Sequence, residues 1–281
     1  MTALATVVGA QGFIGRHLLT HLQGLGWQAQ ASPRQPDPAW WDRPLGTVFY
    51  CAGLTADFAR RPHDAVAAHV CLLNEVLRQD RFDSLVYLSS TRLYDSAAAG
   101  QAVHEDSPLL LNPALPRHLF DLSKSLGESL CRQASGGRAR IARLSCVVAG
   151  PGEESGFVGQ LLGRVQRARQ QGQSELSVDT SAHLERDYIH IDDVLDALLR
   201  IASQGTQAAY NVAAGVNTSN AQLLASLQAL SGVRLRALHD QLCDPPACVS
   251  TQRLQRELGW HATPLLQRLP QLLALEQPCC A

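Results

Sequence analysis

Three glycines spaced three residues apart follow the first apolar run of the chain and precede a helical pattern. Leu4–Val8 is typical of a buried strand, and Gly9, Gly12 and Gly15 come directly after it. In such a turn the first glycine permits the sharp bend, the second lets a pyrophosphate approach the backbone, and the third lets the helix pack on the strand. The helix N-terminus then faces the anion. The pattern predicts a dinucleotide-binding turn whose contacts are Gly9, Gly12, Phe13, Ile14 and Gly15.

Short apolar runs alternate with helical patterns throughout the first half of the chain. Strands are expected at 28–31, 48–51, 85–88 and 141–148, and helices at 16–25, 64–78 and 119–133. Strands separated by helices are typical of βαβ units, which build a parallel sheet covered on both faces. We therefore expect an α/β fold with a Rossmann-type doubly wound parallel sheet.

The stretch between residues 32 and 47 departs from that regular pattern. It contains Pro33, Pro36, Pro38 and Pro44, and proline cannot donate the hydrogen bonds of a central strand. The strand that a regular three-strand half would place here is therefore expected to be missing or vestigial.

The second half is expected to be smaller and mixed. Helices are expected at 157–170, 192–202, 220–230 and 251–258, with a strand at 209–212. We expect residues 1–150 to form the dinucleotide-binding domain, with 187–213 returning to it. The small substrate-binding lobe would comprise 151–186 and 214–275, and 276–281 would be a tail.

Charge and composition exclude several classes of function. With 24 Lys and Arg against 25 Asp and Glu, the net charge is −1, which provides no general attraction to nucleic acid. Apolar runs end well before the roughly 18 residues of a membrane span, and the first residues lack a basic segment typical of a secretory signal. Eight cysteines without metal-ligand spacing are read as reduced thiols. We expect a cytoplasmic protein with no metal, nucleic acid or membrane partner.

The residues after the second strand bear on the choice of cofactor. An acidic residue for the adenosine ribose is expected at the end of this strand, but the sequence reads Ala31-Ser32-Pro33-Arg34. Arg34 would suit a 2′-phosphate, although it could equally be a solvated loop residue. NADP is therefore slightly favoured over NAD.

Further motifs follow the glycine turn in a fixed order along the chain. They are Tyr50-Cys51-Ala52-Gly53, Leu88-Ser89-Ser90-Thr91-Arg92-Leu93-Tyr94, the stretch from Arg143 to Gly152, Arg186-Asp187-Tyr188-Ile189-His190-Ile191-Asp192-Asp193, Tyr210-Asn211-Val212 and Leu258-Gly259-Trp260. Together they resemble the extended short-chain dehydrogenase/reductase family, in its sugar-nucleotide epimerase, dehydratase and reductase group. The resemblance implies that Cys51, Ala52 and Gly53 line the cofactor.

The resemblance also implies a catalytic set of Ser, Tyr and Lys. The tyrosine transfers a proton, the lysine four residues later lowers the pKa of the tyrosine and holds the nicotinamide ribose, and the serine orients the substrate oxygen. Ser90 and Lys124 are present, but the tyrosine position holds Phe120, which has no proton to transfer. Because the other motifs are intact, we favour a deliberate Tyr-to-Phe replacement. A natural loss of activity, or a substitute such as His118, is also open, although His118 is expected at the surface.

Substrate-binding residues are expected beside this set. By the resemblance they are Thr91, Arg92, Tyr94, Cys146 and Arg186. Arg186 is the expected ligand of a diphosphate, since its planar fork suits that group, with a surface ion pair as the alternative. For Tyr94, burial in the core is as good an explanation as contact with the substrate. His69 and Cys146 stand where the family often has Asn, through packing variation or an unusual pocket.

These observations favour NAD(P)-dependent chemistry at C4 of a nucleoside-diphosphate sugar, either ketoreduction or epimerisation. One alternative is a non-catalytic NAD(P)-binding protein, which Phe120 would explain. The other is an extended-family reductase of an apolar ketone, against which Arg186 argues because an uncharged substrate needs no phosphate ligand. A homodimer is also expected, because the resemblance implies pairing of the helices at 64–78 and 119–133 between two copies.

Overall fold

The computed structural model describes residues 3–150, 153 and 156–273. The strands are β1 (Leu4–Val8), β2 (Gln28–Ala31), β3 (Gly46–Tyr50), β4 (Phe82–Ser90), β5 (Ala102–Val103), β6 (Ala139–Leu144), β7 (Cys146–Val148), β8 (Glu175–Ser181), β9 (Glu185–His190), β10 (Ala209–Val212), β11 (Asn217–Ser219), β12 (Arg234–His239) and β13 (Cys248–Val249). The α-helices are α1 (Phe13–Gly24), α2 (Pro62–Val66), α3 (Leu72–Gln79), α4 (His118–Ala134), α5 (Gly156–Gln170), α6 (Ile191–Gln204), α7 (Asn220–Ser231), α8 (Gln252–Leu258) and α9 (Leu265–Leu273).

A six-stranded parallel sheet in the order β2-β1-β3-β4-β6-β10 forms the centre of the molecule. On one face α1 and α6 bury Leu18, Leu22 and Val194 against the strands. On the other face α3 and α4 bury Leu73 and Cys131. The doubly wound Rossmann-type sheet predicted from the sequence is confirmed.

The predicted gap between β2 and β3 is also confirmed. Residues 32–45 form no strand, so β2 is an edge of the sheet. A 3₁₀ turn at Pro38–Asp42 takes its place, begun by the Asp37 carboxylate, which accepts a hydrogen bond from the backbone N–H of Trp40. Trp40 and Trp41 then pack into the same core as α3.

The expectation of one strand at 141–148 is wrong. β6 ends at Leu144, and β7 pairs instead with β9 in a separate sheet ordered β11-β9-β7. The Ser145 N–H still bonds the Val212 carbonyl of the central sheet, so this residue is the junction between the two sheets.

The helix expected at 64–78 is interrupted by a π-helical turn at Ala67–Cys71. Tyr50 and Tyr87, on adjacent strands beneath it, donate their hydroxyls to the carbonyls of Ala68 and His69. These hydrogen bonds supply partners to backbone groups that the widened turn leaves free. The first helix also begins earlier than expected, at Phe13 rather than residue 16.

The region after residue 156 contains its own apolar core. Side chains of α5, α7 and α9 pack together with Val178 of β8 and Tyr188 of β9. β10 joins the central sheet and α6 covers it, whereas β9 does not join that sheet. The division into a dinucleotide-binding domain and a substrate lobe at the predicted boundaries stays a prediction.

Among the residues with described positions, none of the helices combines the length and the apolar composition that crossing a bilayer requires.

Candidate active site

A cleft of about 780 Å³ opens at the carboxyl ends of β1, β3, β4 and β6. Ligands of open α/β sheets bind at this edge, because the turns that follow the strands gather there. Most of the site residues expected from the sequence line the cleft: Gly12, Phe13, Ile14, Cys51, Gly53, Ser90, Thr91, Arg92, Tyr94, Phe120, Lys124, Cys146 and Arg186. The lining does not include Gly9, Gly15, Ala52 or Arg34.

The geometry of the glycine turn explains why Gly9, Gly15 and Ala52 do not line the cleft. Gly9 has a φ of 83°, and a Cβ there would lie 2.6 Å from the Ala52 nitrogen. A Cβ on Gly15 would lie 2.2 Å from the Gly9 carbonyl oxygen. These residues shape the turn, and their part in binding the cofactor stays a prediction. Arg34 is exposed on the segment after β2.

Ser90 ends β4 and begins the 3₁₀ turn Thr91–Tyr94. Its Oγ accepts a hydrogen bond of 3.2 Å from the backbone N–H of Arg92. Because that bond uses an acceptor site, the hydroxyl proton of Ser90 is left to donate to a ligand in the cleft.

Lys124 and Phe120 lie one turn apart on α4, and both line the cleft. The Lys124 ammonium donates to the Leu88 carbonyl at 2.8 Å. Burial disfavours the charged form and lowers the pKa of Lys124 to about 8. Phe120 is buried against the ring of Phe58, with 5.5 Å between ring centroids. The arrangement thus has the lysine and serine of the expected set, and a phenyl ring at the position where the tyrosine is expected.

His69, in the π-helical turn, hydrogen-bonds to the loop after β3 and to α4, so it connects these two elements with its own turn. Ser123 donates its single hydroxyl proton to the Phe120 carbonyl, so the 2.8 Å contact between Ser123 Oγ and His69 Nδ1 requires the proton on Nδ1. His69 Nε2 then accepts from the Leu54 N–H at 3.1 Å. Burial lowers the pKa of His69 to about 3, which keeps the ring neutral. No pattern in the sequence indicated this role.

Tyr94 and His118 are core residues. The Tyr94 hydroxyl donates to Asn211 Oδ1 at 2.9 Å and accepts from Arg143 at 2.6 Å, so its polar atom is fully used inside the protein. His118 is 2% exposed, and the expectation of a surface residue is wrong. Its Nδ1 accepts from the Asn112 N–H at 2.7 Å, and it does not line the cleft. Nothing in this geometry supports His118 as a substitute proton donor.

The cleft is rich in arginine. Arg92, Arg117 and Arg186 all line it, opposite Asp95. Among the described residues, Arg186 donates to the carbonyl of Glu185 at 3.0 Å and forms no ion pair with Glu185 or Asp187, so the alternative expected for it is not observed. Asp95 and Arg117 were missed in the sequence because they belong to no motif and are brought to the cleft by the 3₁₀ turn and the start of α4.

A buried ion pair supports the cleft from behind. Arg143 on β6 forms two hydrogen bonds with the Glu128 carboxylate, at 2.9 and 2.6 Å. Ser89, the neighbour of Ser90, donates to the same carboxylate at 2.6 Å. β4, α4 and β6 are therefore connected immediately behind the catalytic positions.

The chain's own geometry fits a dinucleotide. Gly12 lines the cleft, and a Cβ built there would meet only the Gly9 carbonyl oxygen at 3.3 Å. The backbone at the start of α1 is thus open to a phosphate. Within the described part of the chain, no group of three His, Cys, Asp or Glu residues could hold a metal ion.

A doubly wound parallel sheet with this turn, and with serine and lysine at its carboxyl edge, defines a dinucleotide-binding protein of the short-chain dehydrogenase/reductase class. Residues 5–213 match the model of the NAD dependent epimerase/dehydratase family. The chain belongs to that family, which confirms the resemblance noted in the sequence and the expected nicotinamide cofactor.

Comparison with individual proteins agrees. The chain is 29% identical over 287 residues to GDP-6-deoxy-D-mannose reductase of Pseudomonas aeruginosa, covering 93% of this chain and 90% of that protein. It is similar to the structure of RMD from Pseudomonas aeruginosa complexed with NADPH, with a TM-score of 0.76, 25% identity and coverage of 96% and 98%. UDP-glucose 4-epimerase of Thermotoga maritima with UDP-glucose shares the fold, with a TM-score of 0.77, 16% identity and coverage of 96% and 97%.

Proposed function

We propose that this cleft binds NAD(P) together with a nucleoside-diphosphate sugar and is built for ketoreduction or epimerisation at C4 of the sugar. The observation that carries the proposal is the meeting of Gly12, Ser90, Lys124 and Arg186 along one cleft. The reductase relative supports ketoreduction as the first reaction to test, and the neighbour with NADPH supports NADP as the first cofactor to test.

The residues have separate roles in this proposal. The open backbone at Gly12 would hold the pyrophosphate, and the Lys124 ammonium would donate to the nicotinamide ribose hydroxyls. The nicotinamide, when bound, supplies or accepts a hydride. Ser90 would donate its free proton to the reacting oxygen of the sugar. Arg34 would meet the 2′-phosphate of NADP.

Phe120 removes the acid–base step from this arrangement. A phenyl ring cannot pass a proton to the reacting oxygen, and a positioned acid or base typically contributes about 10²- to 10⁴-fold in rate. We therefore propose that the chain with Phe120 binds its ligands but turns over slowly or not at all, as expected for a Tyr-to-Phe variant of an active enzyme.

Arg186 is proposed to bind the diphosphate of the sugar nucleotide. Its side chain lines the cleft and, within the described part of the chain, donates only to the Glu185 carbonyl. Arg186→Leu should weaken binding of GDP- and UDP-sugars by about 1.5–3 kcal/mol, the range for hydrogen bonds to charged groups, in titration calorimetry. The affinities for NADP⁺ and for NAD⁺ should be the same in the Arg186→Leu variant as in the unaltered protein. Unchanged sugar-nucleotide affinity would show that the diphosphate is held elsewhere.

A non-catalytic NAD(P)-binding protein is the second candidate, and Phe120 is the observation that favours it. Mass spectrometry of the purified protein separates the two. A carried-over nucleoside-diphosphate sugar supports the enzyme site, whereas cofactor alone, with no sugar nucleotide bound at millimolar concentration, supports the second candidate.

A further inference from the structure

Arg92 lies at the end of the cleft where the proposed chemistry takes place. It follows Ser90 by two residues, and its guanidinium carbon lies 4.7 Å from the centroid of the Phe120 ring and 5.1 Å from that of Phe58. A cation at such distances from aromatic rings is held by their quadrupoles, but the rings accept none of its in-plane N–H bonds. Arg92 is therefore positioned without its hydrogen bonds being used.

The protein leaves the Arg92 guanidinium without a hydrogen-bond acceptor among the described residues. Its Nε is buried without a hydrogen bond, and the nearest carboxylate oxygen, Asp121 Oδ1, lies 3.9 Å away, which is within ion-pair distance but too long for a hydrogen bond. Buried donors without a partner are costly, and those that occur are commonly completed by a ligand or water. The side chain is 31% exposed, so a ligand in the cleft can reach it.

Two arginines of the cleft have different surroundings. Arg186, on β9, is the proposed partner of the diphosphate, whereas Arg92 packs on the ring at the catalytic position of α4. A neutral sugar ring offers hydroxyls there, which need no cation. A planar guanidinium instead matches a carboxylate, with which it forms two parallel charge-assisted hydrogen bonds.

We infer that Arg92 binds a carboxylate on the sugar ring, so that the preferred substrates are nucleoside-diphosphate sugar acids. The inference rests on the proposed function, because it names the substrate class of the same cleft. Arg92 is then a specificity-determining residue, and the rings of Phe58 and Phe120 hold its charge in place.

Matched pairs of ligands test this inference. Calorimetry would compare UDP-glucuronic acid with UDP-glucose, and GDP-mannuronic acid with GDP-mannose, each with the NAD(P)⁺-loaded protein. In at least one pair the acid should bind about tenfold or more tightly, the scale of one charge-assisted contact. Arg92→Met keeps an unbranched apolar stem against the rings and should remove this preference while neutral-sugar affinity changes less than about twofold. Arg92→Lys should keep part of it, and Arg78→Met, which removes an exposed arginine on α3, should keep all of it.

The outcomes are distinguishable. Equal binding of acid and neutral sugar by the unaltered protein overturns the inference and leaves the proposed function standing. If Arg92→Met weakens both members of a pair equally, Arg92 contacts the diphosphate and the inference is again wrong. If neither member of either pair binds while the cofactor does, the proposed function itself fails. Circular dichroism and thermal unfolding of each variant confirm that the fold is kept.

Discussion

Phe120 differs from tyrosine by one oxygen atom, and the rest of its surroundings is arranged as for an acid–base residue. Lys124 lies one turn further along α4, Ser90 retains a free proton, and all three line one cleft. At the scale of single residues, the proposed binding roles are therefore separate from the proposed loss of proton transfer. Ser90, Lys124 and Arg186 remain available to the proposed ligands, and Phe120 lacks the hydroxyl that would move the proton.

Replacing Phe120 by tyrosine tests whether the hydroxyl is the only group that the site lacks for proton transfer. Phe120→Tyr should raise turnover by about 10²- to 10⁴-fold, because a positioned hydroxyl beside the Lys124 ammonium supplies the missing acid. Nicotinamide absorbance, or product analysis where the hydride returns to the same sugar, measures the gain, and cofactor affinity should remain nearly the same. Phe58→Tyr adds the same hydroxyl to the neighbouring ring and should give no gain. An inert Phe120→Tyr protein, with a sugar nucleotide shown to bind, would contradict the proposed ancestry of the site.

The neutral His69 predicts a pH dependence of stability. Its pKa in the folded protein is about 3, below the ordinary 6.5, so the unfolded chain binds more protons between these values. The free energy of unfolding should therefore fall as the pH is lowered from about 6.5, by up to about 1.4 kcal/mol per pH unit from this residue. His69→Asn should flatten the urea-unfolding profile between pH 6.5 and 4.5, whereas His63→Asn, at an exposed site on α2, should not. Identical slopes would show that His69 is not held neutral.

At the scale of elements, the central sheet was predictable and the departures from it were not. The glycine turn, the parallel strands and the proline gap each follow from local rules on backbone freedom and burial. The junction at Ser145 and the π-helical turn depend on partners distant in sequence, namely β9 for the first and the tyrosines of β3 and β4 for the second. The strand β12 did have a readable alternation of arginine and apolar residues, which was overlooked.

The same limit applies to the site. Motifs placed Ser90, Lys124 and Arg186 in the cleft, because each belongs to a motif that the family resemblance identifies. They did not distinguish residues that contact a ligand from residues that hold the motif together. Tyr94, Arg143 and Asn211 come from three separate motifs, and they meet in one buried network behind the cleft.

The Arg143–Glu128 pair that joins β6 to α4 should be strongly coupled. Arg143→Met leaves the Glu128 carboxylate buried without its charge partner and should cost about 3–5 kcal/mol in the free energy of unfolding, measured with urea. Adding Glu128→Leu removes the stranded charge and should restore part of the loss. Arg78→Met breaks the exposed pair with Glu75 and should cost less than about 1 kcal/mol. A double variant as unstable as the sum of the single ones would show no coupling.

At the scale of the whole molecule, the outer surface of α2, α3 and α4 is proposed as the contact between two copies. Of the apolar residues on these helices, Leu73 and Leu77 are buried against the sheet, but Val66 and Leu126 are exposed, Leu126 by 50%. Two exposed apolar residues on helices that lie side by side are the basis for the homodimer that the sequence resemblance implied.

Light scattering of the purified protein should report a dimer at micromolar concentration. Leu126→Glu should shift it to a monomer, since a buried carboxylate at an interface is costly. Leu230→Glu, at an exposed leucine on α7, should leave the mass unchanged. A monomeric unaltered protein would contradict the proposal directly.

The missing outer strand places the residues proposed to select the coenzyme apart from the residues that stabilise the fold. Residues 32–37 form a surface segment after β2. Among the described residues, the side-chain hydrogen bonds of this segment are those of Ser32 and Asp37, and both are local. Exchanges at Arg34 and Gln35 fall at exposed sites, where they typically change stability by less than about 0.5 kcal/mol. If Arg34 contacts the 2′-phosphate as proposed, its replacement should change the preference between NADP and NAD without loss of the fold, which the buried Trp40 and Trp41 stabilise.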